Sequence, residues 1–340
     1  MVIRREVVLC AQIFAMDFSV LSENFAHPPV LFFFLGIIAT LLRSDLHIPD
    51  QISRFLSIYL LFDIGFKGGQ ELFHSGYTHQ MLGVMVACVA CSFLLPFAVY
   101  PIMRRKLNSY NAGAIAASYG SVSAVTFATA SAFLDAKGIA FSGYMVAGMA
   151  MMESPAIVSG LILIRKGIRK SGLTQTGNGS MKEVVRESLT NGSVLLLVGS
   201  LLIGMVTGNT GKQELEPFID DIFKGMLSLY MLDMGILAGK RLGDLRRSGM
   251  YLSVFSLVYP AFGGLIGVGV SYFLGLNQGD ALLFTMLLAS ASYIAVPAAM
   301  RMSVPQANIG ILLPMTLGLT FTLNVTLGIP LFYMLIQMIW

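Results

Sequence analysis

Residues 79–103, HQMLGVMVACVACSFLLPFAVYPIM, run without a single Asp, Glu, Lys or Arg. About twenty apolar residues in a row, rising 1.5 Å each, cross a bilayer as a helix. The stretch lacks the strict alternation of a lipid-facing barrel strand. Nine further stretches read the same way, so ten membrane helices are predicted, at 29–43, 51–69, 79–103, 110–134, 143–165, 187–207, 217–239, 249–275, 280–301 and 307–338. Only 12% of the residues are charged, against roughly 25% in a soluble domain. The chain is read as an all-α, multi-pass membrane protein, and no nucleic-acid partner is expected.

The one flexible polar stretch, KSGLTQTGNGS at 170–180, divides these segments five and five. The expected organisation is an N-terminal extension (1–28), a first five-helix repeat (29–165), a cytoplasmic linker (166–186) and a second repeat (187–340). LLFDIGFKGGQEL (60–72) and LYMLDMGILAGKRL (229–242) both contain D-x-G-x-x-x-G, with Asp63 and Asp233 170 residues apart, half of the 340-residue chain. Five is odd, so a second copy crosses the membrane in the opposite sense, as an inverted repeat. The glycines after each aspartate suit a tight helix-terminal turn, and Lys67 one turn after Asp63 suits a local ion pair. Of the 22 Lys and Arg residues, 16 fall in the loops after the first, third, fifth, seventh and ninth segments. The positive-inside rule makes that side cytoplasmic, with both termini outside a bacterial inner membrane.

The fourth segment carries YGSVSAVTFATA (119–130) and the ninth ASASYIAVPAAM (289–300), with Ser121-x-Ser123 matching Ser290-x-Ser292 at an offset of 169. Such runs of small and hydroxyl residues, with Gly120 and Pro297 as breakers, predict discontinuous helices that cross. Broken backbone at that depth is tolerated where it lines a cavity. Half-helix N-termini there favour an anion, and carbonyls with Ser and Thr hydroxyls favour a small hard cation. No Lys or Arg lies near the crossing, which suits a monoanion better than a phosphate or dicarboxylate. Glu153, in MMESPAIVSG (151–160), is a mid-membrane carboxylate and a candidate cation ligand or proton carrier. Asn324, in TFTLNVTLGIP (320–330), is its uncharged counterpart. Asp63 and Asp233 are candidates for gating or ion access. Cys88-x-x-Cys91 lies in an apolar helix without histidine and reads as packing. No G-x-x-x-x-G-K-[ST], G-x-S-x-G or His-Glu-x-x-His is present, so neither ATP-driven transport nor these hydrolase chemistries are expected, and no cofactor.

YGSVSAVTF, MESPAIVSG, ASASYIAVPAAMR and TFTLNVTLGIPLF together resemble the sodium-dependent bicarbonate transporter family, of cyanobacterial type, over nearly all of residues 29–338. The resemblance implies two inverted five-helix repeats with a core and a gate domain, and sodium–bicarbonate symport. It also implies a homotrimer and a PII-like cytoplasmic regulator. It carries the substrate site onto Gly120, Ser121, Val122, Ser123, Ser290, Ala291 and Ser292, and the sodium sites onto Thr126, Glu153, Ser290 and Asn324. Tyr293 departs from the pattern, standing where an acidic residue is expected, and joins the candidates for gating or ion access. A neutral phenol is a poorer sodium ligand than a carboxylate.

Two alternatives stay open: proton-coupled or exchange transport of another small carboxylate, with Glu153 titrating, and an intramembrane aspartyl protease. The protease needs Asp63 and Asp233 as an adjacent dyad, whereas the inverted topology sends them toward opposite faces.

Overall fold

A computed structural model describes residues 27–75, 79–170 and 192–340. Most of the expected N-terminal extension and linker lies outside these residues. Twelve α-helices are found among them: α1 (Pro28–Leu41), α2 (Asp50–Ser75), α3 (His79–Arg104), α4 (Ser109–Gly120), α5 (Ala124–Ala136), α6 (Tyr144–Lys170), α7 (Gly192–Glu216), α8 (Phe223–Ser248), α9 (Met250–Phe273), α10 (Gln278–Ala289), α11 (Ala295–Ser303) and α12 (Ile329–Ile339). No strand occurs among the described residues. Five helical stretches are long and apolar enough to cross a membrane: α3, α6, 192–221, α9 and 309–339.

The fourth and ninth predicted segments are each two helices. α4 and α10 are both 12 residues long. Each starts from an asparagine whose side chain accepts a backbone N–H three residues on: Asn108 from Asn111, and Asn277 from Asp280. Each ends at a serine in extended backbone, Ser121 (φ −90°, ψ −173°) and Ser290 (φ −90°, ψ 176°).

The D-x-G-x-x-x-G helices overturn one expectation. Asp63 lies in the middle of α2, not near its end, and the glycines form no terminal turn. Gly65 and Gly69 face the Leu197 and Leu201 carbonyls of α7, while Gly204 of α7 faces the Phe66 carbonyl. In the second copy Gly235 and Gly239 face Phe33 and Thr40 of α1, while Gly36 of α1 faces the Leu232 carbonyl. A methyl at any of these positions would run into the opposing helix. The motif is therefore a close-packing seam, made by small residues that let two backbones approach. It joins α2 to α7 and α8 to α1, and α2 also packs on α8.

A second set packs beside this one: α3 on α4 and α6, and α9 on α10 with the terminal segment. Gly120 belongs to this packing, because a Cβ there would strike Pro96 of α3. Cys88 is buried and Cys91 half-buried, both as free thiols. Their place within the apolar packing of α3 agrees with the sequence reading.

Other boundaries also moved. α6 runs to Lys170, five residues into the expected linker, because buried Ile164 and Ile168 alternate with exposed Lys166 and Arg169 as one amphipathic end. α8 runs to Ser248 rather than 239, since GKRLGDLRRS is rich in helix formers despite its charge. α7 is kinked at Gly208, whose φ of 50° only glycine adopts freely. The last segment opens with 3-10 and π turns (Ile309–Ile311, Pro314–Phe321, Asn324–Gly328) before α12.

Candidate functional site

The two breaks are tied to each other by their own serines. Ser123 N–H donates to Ser290 Oγ at 3.0 Å, and Ser290 Oγ donates to the Leu287 carbonyl at 2.9 Å. Ser292 N–H donates to the Ser118 carbonyl at 2.8 Å. Each downstream half-helix is then capped from its break: Ser123 Oγ accepts from Thr126 N–H at 3.1 Å, and Ser292 Oγ accepts from Val296 N–H at 3.3 Å. Serine suits both duties, because its hydroxyl replaces the helix hydrogen bonds that the break removes.

Next to this crossing lies a cavity of about 70 Å³. Its walls are Ser57, Leu60, Leu61 and Ile64 of α2, Val122 to Val125, Glu153 of α6, Ser193, Tyr230 of α8, and Ser292 to Ala295. Of the seven residues expected around the substrate, Val122, Ser123 and Ser292 line it. Gly120, Ser121, Ser290 and Ala291 do not; they form the packed crossing behind it. The N–H groups of Ser121, Ser123, Ser290 and Ser292 are engaged within the protein. Ala124 and Val125 of α5 and Ala295 of α11 also line the cavity, and they belong to first helical turns, whose N–H groups have no partner within the helix. Both half-helix dipoles direct their positive ends there.

Among the described residues Glu153 is the only carboxylate in the cavity wall, and no cationic side chain pairs with it. Pro155, inside the same helix, has no N–H to give the Met151 carbonyl. Tyr293 lies in the wall beside Tyr230 and Ser123. Thr126 and Asn324 are buried away from this wall. Asn324 Nδ2 donates to the Ala289 carbonyl at 2.9 Å, at the very end of α10. Asn324 Oδ1 and Thr126 Oγ1 are both buried acceptors with no hydrogen-bond partner, on elements that pack together. The expected sodium residues thus fall into two groups, Glu153 on the cavity and Thr126 with Asn324 behind it, with Ser290 holding the crossing. Among the described residues no cluster of three or more His, Cys, Asp or Glu side chains forms a metal site. A cation bound here would draw on hydroxyl, amide and carbonyl oxygens.

The two aspartates are far apart. Asp233 accepts from Ser53, near the start of α2. Asp63, ten residues further along that helix, stands roughly 15 Å away at 1.5 Å per residue. They form no dyad, and a protease has no site here. Asp63 pairs with Lys67 at 3.3 Å, as the spacing predicts, and Lys67 pairs also with Asp220 at 3.0 Å. This chain of charges lines a second, larger cavity of about 390 Å³, together with Asp135, Lys212 and Lys224. Sequence reasoning placed none of Asp135, Lys212, Asp220 and Lys224 in a site, because their convergence needs the loops after α5 and α7 to meet. Ile64 lines both cavities and stands between them.

A sequence model described as the Na+-dependent bicarbonate transporter superfamily matches residues 28–337. No curated protein matches the chain.

Proposed function

Since the chain belongs to the Na+-dependent bicarbonate transporter superfamily, a family of multi-pass membrane transporters rather than enzymes, we propose that it is a secondary symporter of bicarbonate or a similar small monoanion, driven by sodium. The observation that carries this reading is the cavity at the crossing, where two half-helix N-termini converge and, among the described residues, no Lys or Arg lines the wall. Dipoles and first-turn amides suit one delocalised negative charge; a dianion would call for guanidinium forks. Sodium supplies the missing positive charge. Glu153 binds it from the cavity side, or the orphaned oxygens of Thr126 and Asn324 bind it behind the crossing.

The architecture in this reading is ten membrane helices in two inverted repeats, 29–165 and 187–340. Paired features 169 residues apart support it: Asn108 with Asn277, Ser121 with Ser290, and Asn111 with Asp280. So does the reciprocal seam of α2 on α7 and α8 on α1. The seam forms the gate and the crossed helices form the core. Alternating access then exposes the cavity to either side as the core moves against α2 and α8. The larger cavity, separated from the first by Ile64, is the outer approach, and the Asp63–Lys67–Asp220 chain is its rim.

Labelled bicarbonate uptake into proteoliposomes tests the proposal. Uptake should follow an inward sodium gradient and stop when that gradient is dissipated. Uptake that ignores sodium and follows an imposed pH gradient would replace this reading with a proton-coupled one, in which Glu153 carries the proton.

A further inference from the structure

A third cavity, of about 510 Å³, lies between the ends of α3 and α6, at the pole that gathers most of the cationic residues. Among the described residues Arg104, Arg105 and Lys166 line it, and no carboxylate does. Arg104 Nη1 donates to the Leu107 carbonyl at 3.0 Å. The Tyr100 hydroxyl is buried in the wall with no hydrogen-bond partner. It lies against Gly167, where a Cβ would collide with it. A buried hydroxyl without an acceptor is costly, and three cations beside it define what the missing acceptor is: an anion bearing several oxygens.

The remaining wall is apolar, from Phe97, Pro101 and Leu163. It continues along the outside of α3 as exposed large side chains, with Phe97 39%, Leu94 60%, Val86 61% and Leu82 66% accessible. A lipid uses both parts, with its headgroup at the cations and an acyl chain along Phe97 and Leu94, which lie within about 15 Å of Arg104 along the helix, one leaflet's depth.

We propose that the α3–α6 cavity is a binding site for one anionic phospholipid, its phosphate held by Arg104, Arg105, Lys166 and the Tyr100 hydroxyl. Basic pockets between membrane helices bind anionic headgroups in this way, at about one order-unity interaction per cation. Each removed charge should therefore weaken binding about five-fold. The site is remote from the crossing and does not rest on the transport reading.

The test is native mass spectrometry of the delipidated full chain titrated with phosphatidylglycerol, phosphatidylcholine or inorganic phosphate. Wild-type protein should retain one phosphatidylglycerol at least ten-fold more tightly than phosphatidylcholine. Arg104→Gln/Arg105→Gln/Lys166→Gln should abolish that preference, whereas Lys166→Arg should keep it. These three side chains are exposed, so thermal unfolding should be unchanged. Tyr100→Phe should weaken phosphatidylglycerol binding several-fold while leaving the lipid-free protein as stable as before, a combination that a purely structural tyrosine would not give. Equal retention of the two lipids, or a triple variant that binds like wild type, overturns the proposal. Displacement of the lipid by millimolar inorganic phosphate assigns the cavity to a free anion and overturns it equally.

Discussion

Ser121 and Ser290 occupy matching places at the two breaks, yet their hydroxyls do opposite things. Ser290 Oγ accepts the Ser123 N–H and donates to Leu287, whereas Ser121 Oγ is buried with no partner. Ser290→Ala leaves a buried N–H unpaired, which costs about 1–3 kcal/mol. It should lower the thermal transition of the purified protein clearly, and Ser121→Ala should leave it unchanged or raise it. Equal shifts would mean that the crossing is not held by Ser290. Glu153→Gln keeps the side-chain shape and removes its charge. The difference between a charged and a neutral ligand is worth roughly a kcal/mol or more, so the apparent sodium requirement for uptake should rise about ten-fold with folding intact. A well-folded variant with unchanged sodium and pH dependence takes Glu153 out of the ion site. At Ser123, alanine removes a cap worth about 0.5–2 kcal/mol and should leave partial uptake. Leucine should abolish uptake in a folded protein, because its bulk fills a cavity of about 70 Å³.

The seams between α2 and α7 and between α8 and α1 make glycine substitutions informative in pairs. Gly69→Ala puts a methyl onto the Leu201 carbonyl and Gly235→Ala puts one onto Phe33, while a methyl at Gly199 meets nothing within 4 Å. Overpacking a helix contact costs about 1–3 kcal/mol, whereas alanine in an open helical site gains up to about 1 kcal/mol. Gly69→Ala and Gly235→Ala should therefore lower thermal stability, and Gly199→Ala should hold or raise it. A destabilising Gly199→Ala alongside a silent Gly69→Ala would refute the seam. This is also where reading the sequence succeeded and where it stopped. The breaks at 121–123 and 290–294 were visible because small residues replace the Leu and Ile of a lipid-facing helix within a local window. The role of Gly65 and Gly69 was not visible, because their partners lie some 130 residues away on α7 and a close helix contact leaves no local mark beyond the glycines. The polar run after Gly239 reads as a loop from its charge, yet it is helical. Charge limits where a helix can sit in lipid without limiting whether the helix forms. Asn324 was picked out as a polar residue in an apolar run; its hold on the Ala289 carbonyl needed the fold.

Contacts sort the helix ends into two poles. At one pole Arg104 and Arg105 share a cavity with Lys166, and Asn308 N–H donates to Asn111 Oδ1 at 2.7 Å, so the end of α3, the start of α4, the end of α6 and the turn after α11 lie together. At the other, Lys67, Asp135, Lys212 and Lys224 share the larger cavity, and Ser142 N–H and Tyr144 OH donate to Asp280 at 2.6 Å each, so the ends of α5 and α7 meet the starts of α6, α8 and α10. The first pole belongs to the side on which the sequence places 16 of the 22 Lys and Arg residues. Cationic loops stay on the cytoplasmic side because carrying them across the bilayer is the costlier insertion. With the native cysteines replaced, Lys137→Cys, in the exposed turn after α5, should react in intact cells with an impermeant maleimide. Arg105→Cys should react only after the cells are opened. The larger cavity, and with it Lys67 and Asp63, then faces outward, as a route for an external anion toward the crossing requires. The reverse labelling pattern would put that cavity in the cytoplasm and turn the approach to the crossing around.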